Sequence, residues 1–305
     1  MNHNPRIGYC CLCLSLEDQG ITTNRGMVKK TFLERGLPYV SQLALQNVKD
    51  LYKILSWNSD KGIRMYRMSS DIFPWCSEYE ISDLPDFLEI SNTLKMCGDL
   101  AKETDQRLTF HPSPYCVIAS ERQDVVIKSI KELNQHAEIM DLMGLEQSYD
   151  YPINIHINTS KPTKEEAAER FCKSYTALPD NVKSRLVVEV DDKKSQFTSV
   201  DLVNLVHSKV GIPVTFDYLH NICNPPEGIS ESESLSLCVS TWGEFIPIVH
   251  YSDSRKLNED ANAKNVAHSD WIYNKIPTYG IEVSIELEVK MKDKALLKYL
   301  DDFHI

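Results

Sequence analysis

Histidines and carboxylates recur at the ends of short apolar runs in this sequence. The run "LVVEVDD" contains Glu189 and ends in Asp191 and Asp192, and "VTFDYLH" contains Asp217 and ends at His220. Comparable endings occur in four further runs, at His111, His156, His250 and the pair Glu286 and Glu288. A single residue of this kind is usually a hydrogen-bonded core or rim residue, whereas six consecutive runs with such endings indicate one shared site.

The chemistry that these residue types favour is metal binding. Imidazole and carboxylate without a consistent cysteine suit Zn²⁺, Mn²⁺ or Fe²⁺. The number of ligands exceeds what one ion needs, so two or more ions are predicted. Clustered divalent ions are typical of phosphodiester hydrolysis, because they activate water near neutral pH and stabilise the leaving oxyanion. Asp217 and His220, three residues apart where a strand turns into a loop, are placed to bind neighbouring ions.

The elements that must position these residues alternate along the chain. Apolar runs that predict strands cover Ile7–Cys11, Met65–Met68, Leu108–His111, Ile153–Ile157, Leu186–Val190, Val214–Leu219, Phe245–Tyr251 and Ile281–Val289. Segments with helical spacing lie between or after them, at 40–56, 84–104, 121–143, 163–177, 198–208, 230–241, 266–274 and 292–302. Such alternation implies parallel strands with right-handed crossovers. Eight units predict a closed (β/α)8 TIM barrel with the metal cluster at the C-terminal mouth of its strands.

An open doubly wound sheet is the structural alternative, and one domain over residues 1–305 is the simplest division. The charged fraction of 25% and the apolar fraction of 42% are typical of a globular protein. Nine cysteines, no signal peptide and no apolar stretch of membrane-spanning length predict a reduced intracellular protein, cytoplasmic or at the nucleoid or nucleus, without a membrane partner.

The net charge of −11 argues against a nucleic-acid partner if it is spread evenly, but the loops after the predicted strands are basic. A basic ring around an acidic, metal-filled centre suits a polyanion laid across the barrel mouth, although loops are often charged for solubility alone. The residues concerned are Arg25, Lys29, Lys30, Lys161, Lys164, Lys193, Lys194, Arg255, Lys256, Lys264, Lys290 and Lys292.

Eight short motifs, in this order along the chain, resemble the UV damage endonuclease family, a group of barrels related to endonuclease IV and xylose isomerase-like proteins. They are "GYC…ITTNRG", "YRMSSDIFP", "RLTFHPSPY", "LVVEVDD", "PVTFDYLHN", "VHYS", "AHSDW" and "IELEVKMKDKALL". The resemblance extends over about residues 6 to 300. It implies a metal-dependent DNA-repair endonuclease that nicks damaged duplex DNA 5′ to UV photoproducts and other lesions.

The resemblance also implies roles for individual residues. Glu189, Asp217, Glu288 and His250 are expected to carry catalysis, with Glu189 bridging two ions. The full set of expected ligands to two or three divalent ions, with Mn²⁺ favoured and Zn²⁺ or Mg²⁺ as alternatives, is His111, His156, Glu189, Asp217, His220, His250, His268, Asp270, Glu288 and Glu78. The expected DNA or lesion contacts are Tyr9, Tyr115, Asn24, Arg25, Lys161 and Arg255. A monomer is expected, since a duplex must reach the mouth.

The sequence departs from the family pattern at several positions. Glu78 stands where the family usually has a histidine ligand, and Pro114 precedes Tyr115 where a glutamine is usual. Cys13 replaces an asparagine, and Ile248 replaces a lysine that can be modified. These changes spare most of the predicted ligands and affect lesion recognition more than metal binding.

Two other functions remain open from the sequence alone. A sugar isomerase on the same barrel would also bind two divalent ions through His, Glu and Asp, but it would need neither the basic loops nor an aromatic wedge such as Tyr115. A damage-binding protein on an inactivated barrel is the other alternative, and the nearly complete ligand set argues against it.

Overall fold

The computed structural model of the protein describes residues 6–305. Eight parallel strands close into a barrel in chain order, with β8 pairing back to β1. The strands are β1 (Ile7–Cys10), β2 (Met65–Met68), β3 (Arg107–Phe110), β4 (Ile153–Ile155), β5 (Leu186–Glu189), β6 (Val214–Asp217), β7 (Ile248–Tyr251) and β8 (Ser284–Leu287). The predicted (β/α)8 barrel is confirmed, and the open sheet is excluded.

Helices connect the strands and form the outer layer. They are α1 (Lys29–Asp60), α2 (Phe87–Glu103), α3 (Gln123–Leu142), α4 (Lys164–Thr176), α5 (Asp180–Lys183), α6 (Ser199–Leu202), α7 (Ser208–Val210), α8 (Tyr218–Cys223), α9 (Glu231–Val239), α10 (Arg255–Asn258) and α11 (Lys292–Phe303). A π-helical turn at Val203–His207 joins α6 to α7. The helix α1 is kinked at Gly36, whose backbone is non-helical, two residues before Pro38.

The hydrophobic core lies between the barrel wall and the surrounding helices. Leu108 and Phe110 of β3 are fully buried, as are Leu51 and Ile54 of α1 and Leu94 of α2. Each such side chain contributes about 1.5–3 kcal/mol when it leaves water. This apolar layer fixes the helices against the barrel and leaves the barrel interior to other residues.

Side-chain caps set the starts of several helices. Thr163 accepts a hydrogen bond from the backbone N–H of Glu166 at the start of α4. Ser230 and Glu233 form a reciprocal capping box at the start of α9. Both helices begin within one residue of the predicted segments 163–177 and 230–241. The segment predicted to be helical at 84–104 begins three residues later than expected, because α2 starts at Phe87 and Ile81–Asp83 form a separate short 3-10 helix.

The helix predicted at 266–274 is also wrong. His268 forms an isolated antiparallel bridge with Ser254. The Asp253 carboxylate accepts a hydrogen bond from the N–H of Tyr273 at 2.8 Å, and Glu259 accepts one from the N–H of Asp270 at 2.6 Å. Side-chain carboxylates therefore bind the donors that a helix would have bound to its own carbonyls. Within residues 6–305, no helix combines the length and apolarity needed to cross a lipid bilayer.

Gly98 marks the closest approach between α2 and the end of α3. A Cβ atom there would lie 1.9 Å from the carbonyl oxygen of Met143, which is backbone and has little freedom to move. We predict that Gly98→Ala lowers the free energy of unfolding in urea by about 1–3 kcal/mol, because the overpacking cost exceeds the helix propensity gained with Ala. Gly26→Ala is the matched control, since a Cβ at Gly26 meets no atom closer than 4.0 Å. Equal stability of the two variants would contradict this packing.

Candidate metal centre at the barrel mouth

Polar side chains line the inside of the barrel because they alternate with apolar ones along each strand. Arg107 and Thr109 on β3 reach across to β8, where Arg107 donates to the Ser284 hydroxyl at 3.1 Å and Thr109 donates to the Glu286 carboxylate. Barrel interiors of this type are usually filled by bulky branched residues. Here the interior is polar, and the predicted ligands lie at its C-terminal end, where the strands end.

Glu189 is the centre of the cluster and is fully buried. Its Oε2 lies 3.2 Å from His111 Nε2 and 3.4 Å from His156 Nε2. Its Oε1 lies 3.1 Å from His250 Nδ1 and 3.2 Å from His220 Nδ1. Burial opposes ionisation, but the imidazoles, His250 and His156 foremost, outweigh it and hold the pKa of the Glu189 carboxyl well below its ordinary value. Each oxygen of the carboxylate faces a different pair of histidines.

Asp217 and Glu288 complete the cluster on the far side of Glu189. Asp217 caps α8 by accepting a hydrogen bond from the N–H of His220 at 2.6 Å, and burial raises the pKa of its carboxyl. Glu288 Oε1 lies 3.2 Å from His250 Nδ1 and also accepts a hydrogen bond from Arg67. Despite its burial, Arg67 and then His250 hold the pKa of Glu288 well below its ordinary value.

Three groups of ligand atoms lie close enough together to hold an ion, with all atoms of a group within 4.8 Å of one another. The first is His111, His156 and Glu189, the second is Glu189, Asp217 and His220, and the third is Asp217, His250 and Glu288. Glu189 is shared by the first two groups and Asp217 by the last two. This chain of shared carboxylates would allow cations to be held side by side.

Buried ligand atoms without a hydrogen-bond partner also indicate that this set of residues fits divalent cations. Three buried ligand atoms have no hydrogen-bond partner: Glu189 Oε1, Asp217 Oδ2 and His250 Nδ1. A buried polar atom without a partner costs about 1–3 kcal/mol, and more when it carries charge. A cation would compensate these atoms, and imidazole nitrogens with carboxylate oxygens are the ligands that Mn²⁺ and Zn²⁺ accept.

Several second ring nitrogens are held by neighbouring acceptors, which orients the rings. His111 Nδ1 lies 3.0 Å from the carbonyl oxygen of Pro112, and His156 Nδ1 lies 3.3 Å from Asp191. His268 Nδ1 lies 2.7 Å from the Ser252 hydroxyl, which leaves its Nε2 3.7 Å from Glu288. Partners of this kind fix the tautomer and direction of a ligating histidine.

Two predicted ligands lie apart from the cluster. Glu78 is exposed, and its carboxylate is 3.9 Å from the ammonium group of Lys128. Asp270 accepts a hydrogen bond from Arg255 at 3.1 Å. Neither belongs to the three ligand groups found among residues 6–305. His268 is also outside these groups, but it is oriented toward Glu288 at their edge.

The predicted DNA contacts divide into accessible and engaged side chains. Tyr115 is 83% exposed in the loop after β3, and Asn24 and Lys161 are exposed in their loops. Arg25 is 2.7 Å from the Asp50 carboxylate and donates to the carbonyl of Thr22 at 2.6 Å. Arg255 pairs with Asp270, so both arginines would have to leave these partners to contact DNA.

Tyr9, an expected lesion contact, is buried in this structure. Tyr9 has no exposed surface, and its hydroxyl donates to the Asn58 side chain of α1 at 2.8 Å. Its side chain therefore points away from the barrel interior, into the layer between β1 and α1. Alternation along β1 assigns the inward positions to its neighbours Gly8 and Cys10.

Four residues outside the predicted site set support the cluster. Arg67 binds Glu288, Asn154 donates to Oε2 of Glu189, and Thr109 donates to Glu286. For Thr109 and Asn154 the available signal was the period-two alternation, which places each two residues before a predicted ligand on the same strand face. Arg67 has no predicted ligand on its strand. Glu286, which was noted but not chosen as a site residue, lies one inward position before Glu288.

Comparison with known proteins gives a consistent result. The family model described as UV-endonuclease UvdE matches residues 5–305. A UV DNA damage endonuclease from Clostridium perfringens is 34% identical over 97% of this chain and 70% of its own length. A UV-damage endonuclease from Schizosaccharomyces pombe is 33% identical over 96% of this chain and 50% of its own length.

Solved structures give the same picture. The crystal structure of SacUVDE is similar with a TM-score of 0.85, 32% identity and 99% coverage of both chains. Endonuclease IV from Thermus thermophilus has a TM-score of 0.59 at 15% identity over 98% of both chains, which is a likeness of fold alone.

Loss of the shared carboxylate tests the metal centre. We predict that Glu189→Gln weakens Mn²⁺ binding by roughly 100-fold or more, beyond the loss typical of outer-shell partners, because two ligand groups lose a charged member. The bound metal would be measured by elemental analysis after gel filtration. Glu244→Gln, an exposed glutamate in the loop before β7, is the control and should retain the metal. Full Mn²⁺ content in Glu189→Gln would contradict the assignment.

Asp50 offers a pH test of the loop that carries Arg25. Burial opposes ionisation of Asp50, but its hydrogen bonds with Lys53 and Arg25 prevail and lower the pKa of its carboxyl. A carboxyl whose pKa is lower in the folded than in the unfolded chain stabilises the fold at any pH above its unfolded-state pKa, which is near 4. This contribution is lost as the pH falls through the pKa of the folded state. Asp50→Asn should therefore cost about 1–3 kcal/mol at pH 7, and the difference should shrink below about pH 4. Urea unfolding of the metal-free protein at pH 7 and below pH 4 measures this difference in the free energy of unfolding. Asp60→Asn, at an exposed position, is the control. A difference that does not change with pH would contradict the prediction.

Proposed function

Since this chain belongs to the UV-endonuclease UvdE family, we propose that its histidine–carboxylate cluster is a divalent metal centre that cuts duplex DNA 5′ to UV photoproducts. The coarser function, an endonuclease of UV-damage repair, follows from family membership together with the relatives named above. The side of the cut, the dependence on metal and the roles of individual residues are the proposal.

The observation that carries the proposal is the sharing of Glu189 and Asp217 among three ligand groups at the barrel mouth. Divalent ions bound there would supply activation of water and compensation of charge on the leaving oxygen. His111 and His156 would hold one ion with Glu189, while Asp217 and His220 would continue the centre toward Glu288. Mn²⁺ is the preferred ion, two or three per chain, and His268 is a further candidate ligand.

The surface around the mouth supports a DNA substrate. Lys161, Lys193, Lys194 and Lys256 are exposed on loops that follow β4, β5 and β7. Lysines so placed can neutralise phosphates and make binding depend on salt. Tyr115, also on this face, is available to stack on bases or enter a gap left by extruded nucleotides.

A sugar epimerase on the same barrel is less consistent with the strands. The likeness to the structure of 3-keto-D-glucoside 4-epimerase from E. coli, with a TM-score of 0.56 at 11% identity, is one of fold alone. Within the described residues the eight strands contain no lysine, whereas a sugar isomerase of this kind usually has a catalytic lysine on a barrel strand.

The decisive test is a nicking assay with Mn²⁺ on an end-labelled duplex, with and without prior UV irradiation. Wild-type protein should cut immediately 5′ to dipyrimidine photoproducts, and Glu189→Gln should not cut, because the centre is incomplete. Equal cutting of irradiated and unirradiated duplex would remove the lesion specificity and leave the nuclease. If wild type and Glu189→Gln both leave the duplex intact, the nuclease proposal fails.

A further inference from the structure

Glu286 is a buried carboxylate that belongs to none of the three ligand groups. It lies on the inward face of β8, two residues before Glu288, so it is one layer deeper in the barrel. Its Oε2 lies 3.1 Å from His250 Nε2, and its Oε1 accepts a hydrogen bond from the Thr109 hydroxyl. Both oxygens are thus engaged by protein groups, which leaves Glu286 as a partner of a ligand and not a ligand itself.

The two nitrogens of His250 have different surroundings. Nε2 lies beside one carboxylate, that of Glu286. Nδ1 lies beside two, at 3.1 Å from Glu189 and 3.2 Å from Glu288. A neutral imidazole carries one proton, and only the nitrogen without it can bind a cation. Two carboxylates beside Nδ1 would attract that proton to the nitrogen that must stay free. A competing acceptor at Nε2 is therefore needed to keep it away.

The position of Glu286 is itself fixed from two other strands. Thr109 on β3 holds one oxygen, and the Arg67 guanidinium on β2 lies 3.5 Å from the other. Arg67 also binds Glu288, so one buried cation balances two carboxylates that would otherwise repel each other on the same face of β8. The acceptor is rigid because each of its contacts comes from the barrel wall.

We propose that Glu286 is a positioning residue that keeps the proton of His250 on Nε2, so that Nδ1 is free to bind a divalent ion beside Glu189 and Glu288. Arg67 and Thr109 hold the carboxylate in place for this task. The inference rests on the proposed metal centre, and it assigns a role to a residue that touches neither the ion nor DNA. Outer-shell acceptors of ligating histidines typically account for 10–100-fold of metal affinity.

The competing explanation is that Glu286 only neutralises Arg67 inside the barrel. Its removal would then lower the stability of the metal-free protein without changing how His250 binds metal. Metal affinity and the tautomer of His250 separate the two explanations, since a purely structural role moves neither once the variant is folded.

The first measurement is Mn²⁺ titration calorimetry on the full chain without DNA. Glu286→Leu removes the acceptor and should weaken Mn²⁺ binding by about 10–100-fold. Glu286→Gln keeps an acceptor oxygen but loses the charge, so its affinity should fall between those of wild type and Glu286→Leu. Thr109→Val removes only the hydroxyl that fixes Glu286 and should cause a smaller loss. Glu282→Gln, an exposed glutamate just before the same strand, should match wild type.

The second measurement is ¹⁵N NMR of histidine-labelled protein loaded with diamagnetic Zn²⁺. In wild type the His250 signals should report a proton on Nε2 and metal on Nδ1, and in Glu286→Leu this pattern should be lost. Wild-type affinity together with an unchanged His250 pattern in Glu286→Leu would overturn the inference.

If Glu286→Leu does not fold, the inference is overturned by wild-type affinity in both Glu286→Gln and Thr109→Val. If wild type itself binds neither Mn²⁺ nor Zn²⁺, the proposed metal centre fails first, and the two failures remain distinguishable.

Discussion

The Glu189 carboxylate, withdrawn from water and placed among four imidazoles, is the interaction on which the rest of the structure depends. An ionised group in a protein interior is strongly unfavourable unless neighbours compensate it. The compensating groups lie at the C-terminal ends of β3, β4, β6 and β7, which no single helix or hairpin could bring to one point. A closed parallel barrel does so because all its strands end at the same rim. The fold and the charge at its centre are thus two aspects of one constraint.

The same constraint explains why the net charge of −11 gives a poor description of the protein surface at the mouth. Glu189, Asp217 and Glu286 are buried, and Glu288 is largely so. Their negative charge is directed inward, toward imidazoles, Arg67 and the proposed cations. The exposed rim carries lysines, so a polyanion that approaches the barrel meets cations before it meets the carboxylates.

Much of this arrangement could be predicted from the sequence, since strand ends and ligand types are both local patterns. Alternation alone does not reveal which face of a strand is inward, so the burial of Tyr9 against α1 could not be predicted from β1. The role of Arg67 could not be predicted, because no expected ligand shares its strand and only the closed barrel brings it to Glu288. The helix predicted at 266–274 does not form because Asp253 and Glu259, which lie before this segment, accept hydrogen bonds from its backbone N–H groups.

The connection between β7 and β8 has a consequence for how the chain can change in length. Across this fully described stretch the only helix is the single turn α10, and Asp253 with Glu259 holds the remainder by side-chain contacts to the backbone. An insertion in a helix shifts every later residue around the helical axis, whereas an insertion in an irregular loop costs only closure entropy, which grows slowly with length. A few extra residues at the exposed turn around Asp260 would leave the ligand-bearing strands in register. The barrel can therefore acquire new surface here without any change to its interior.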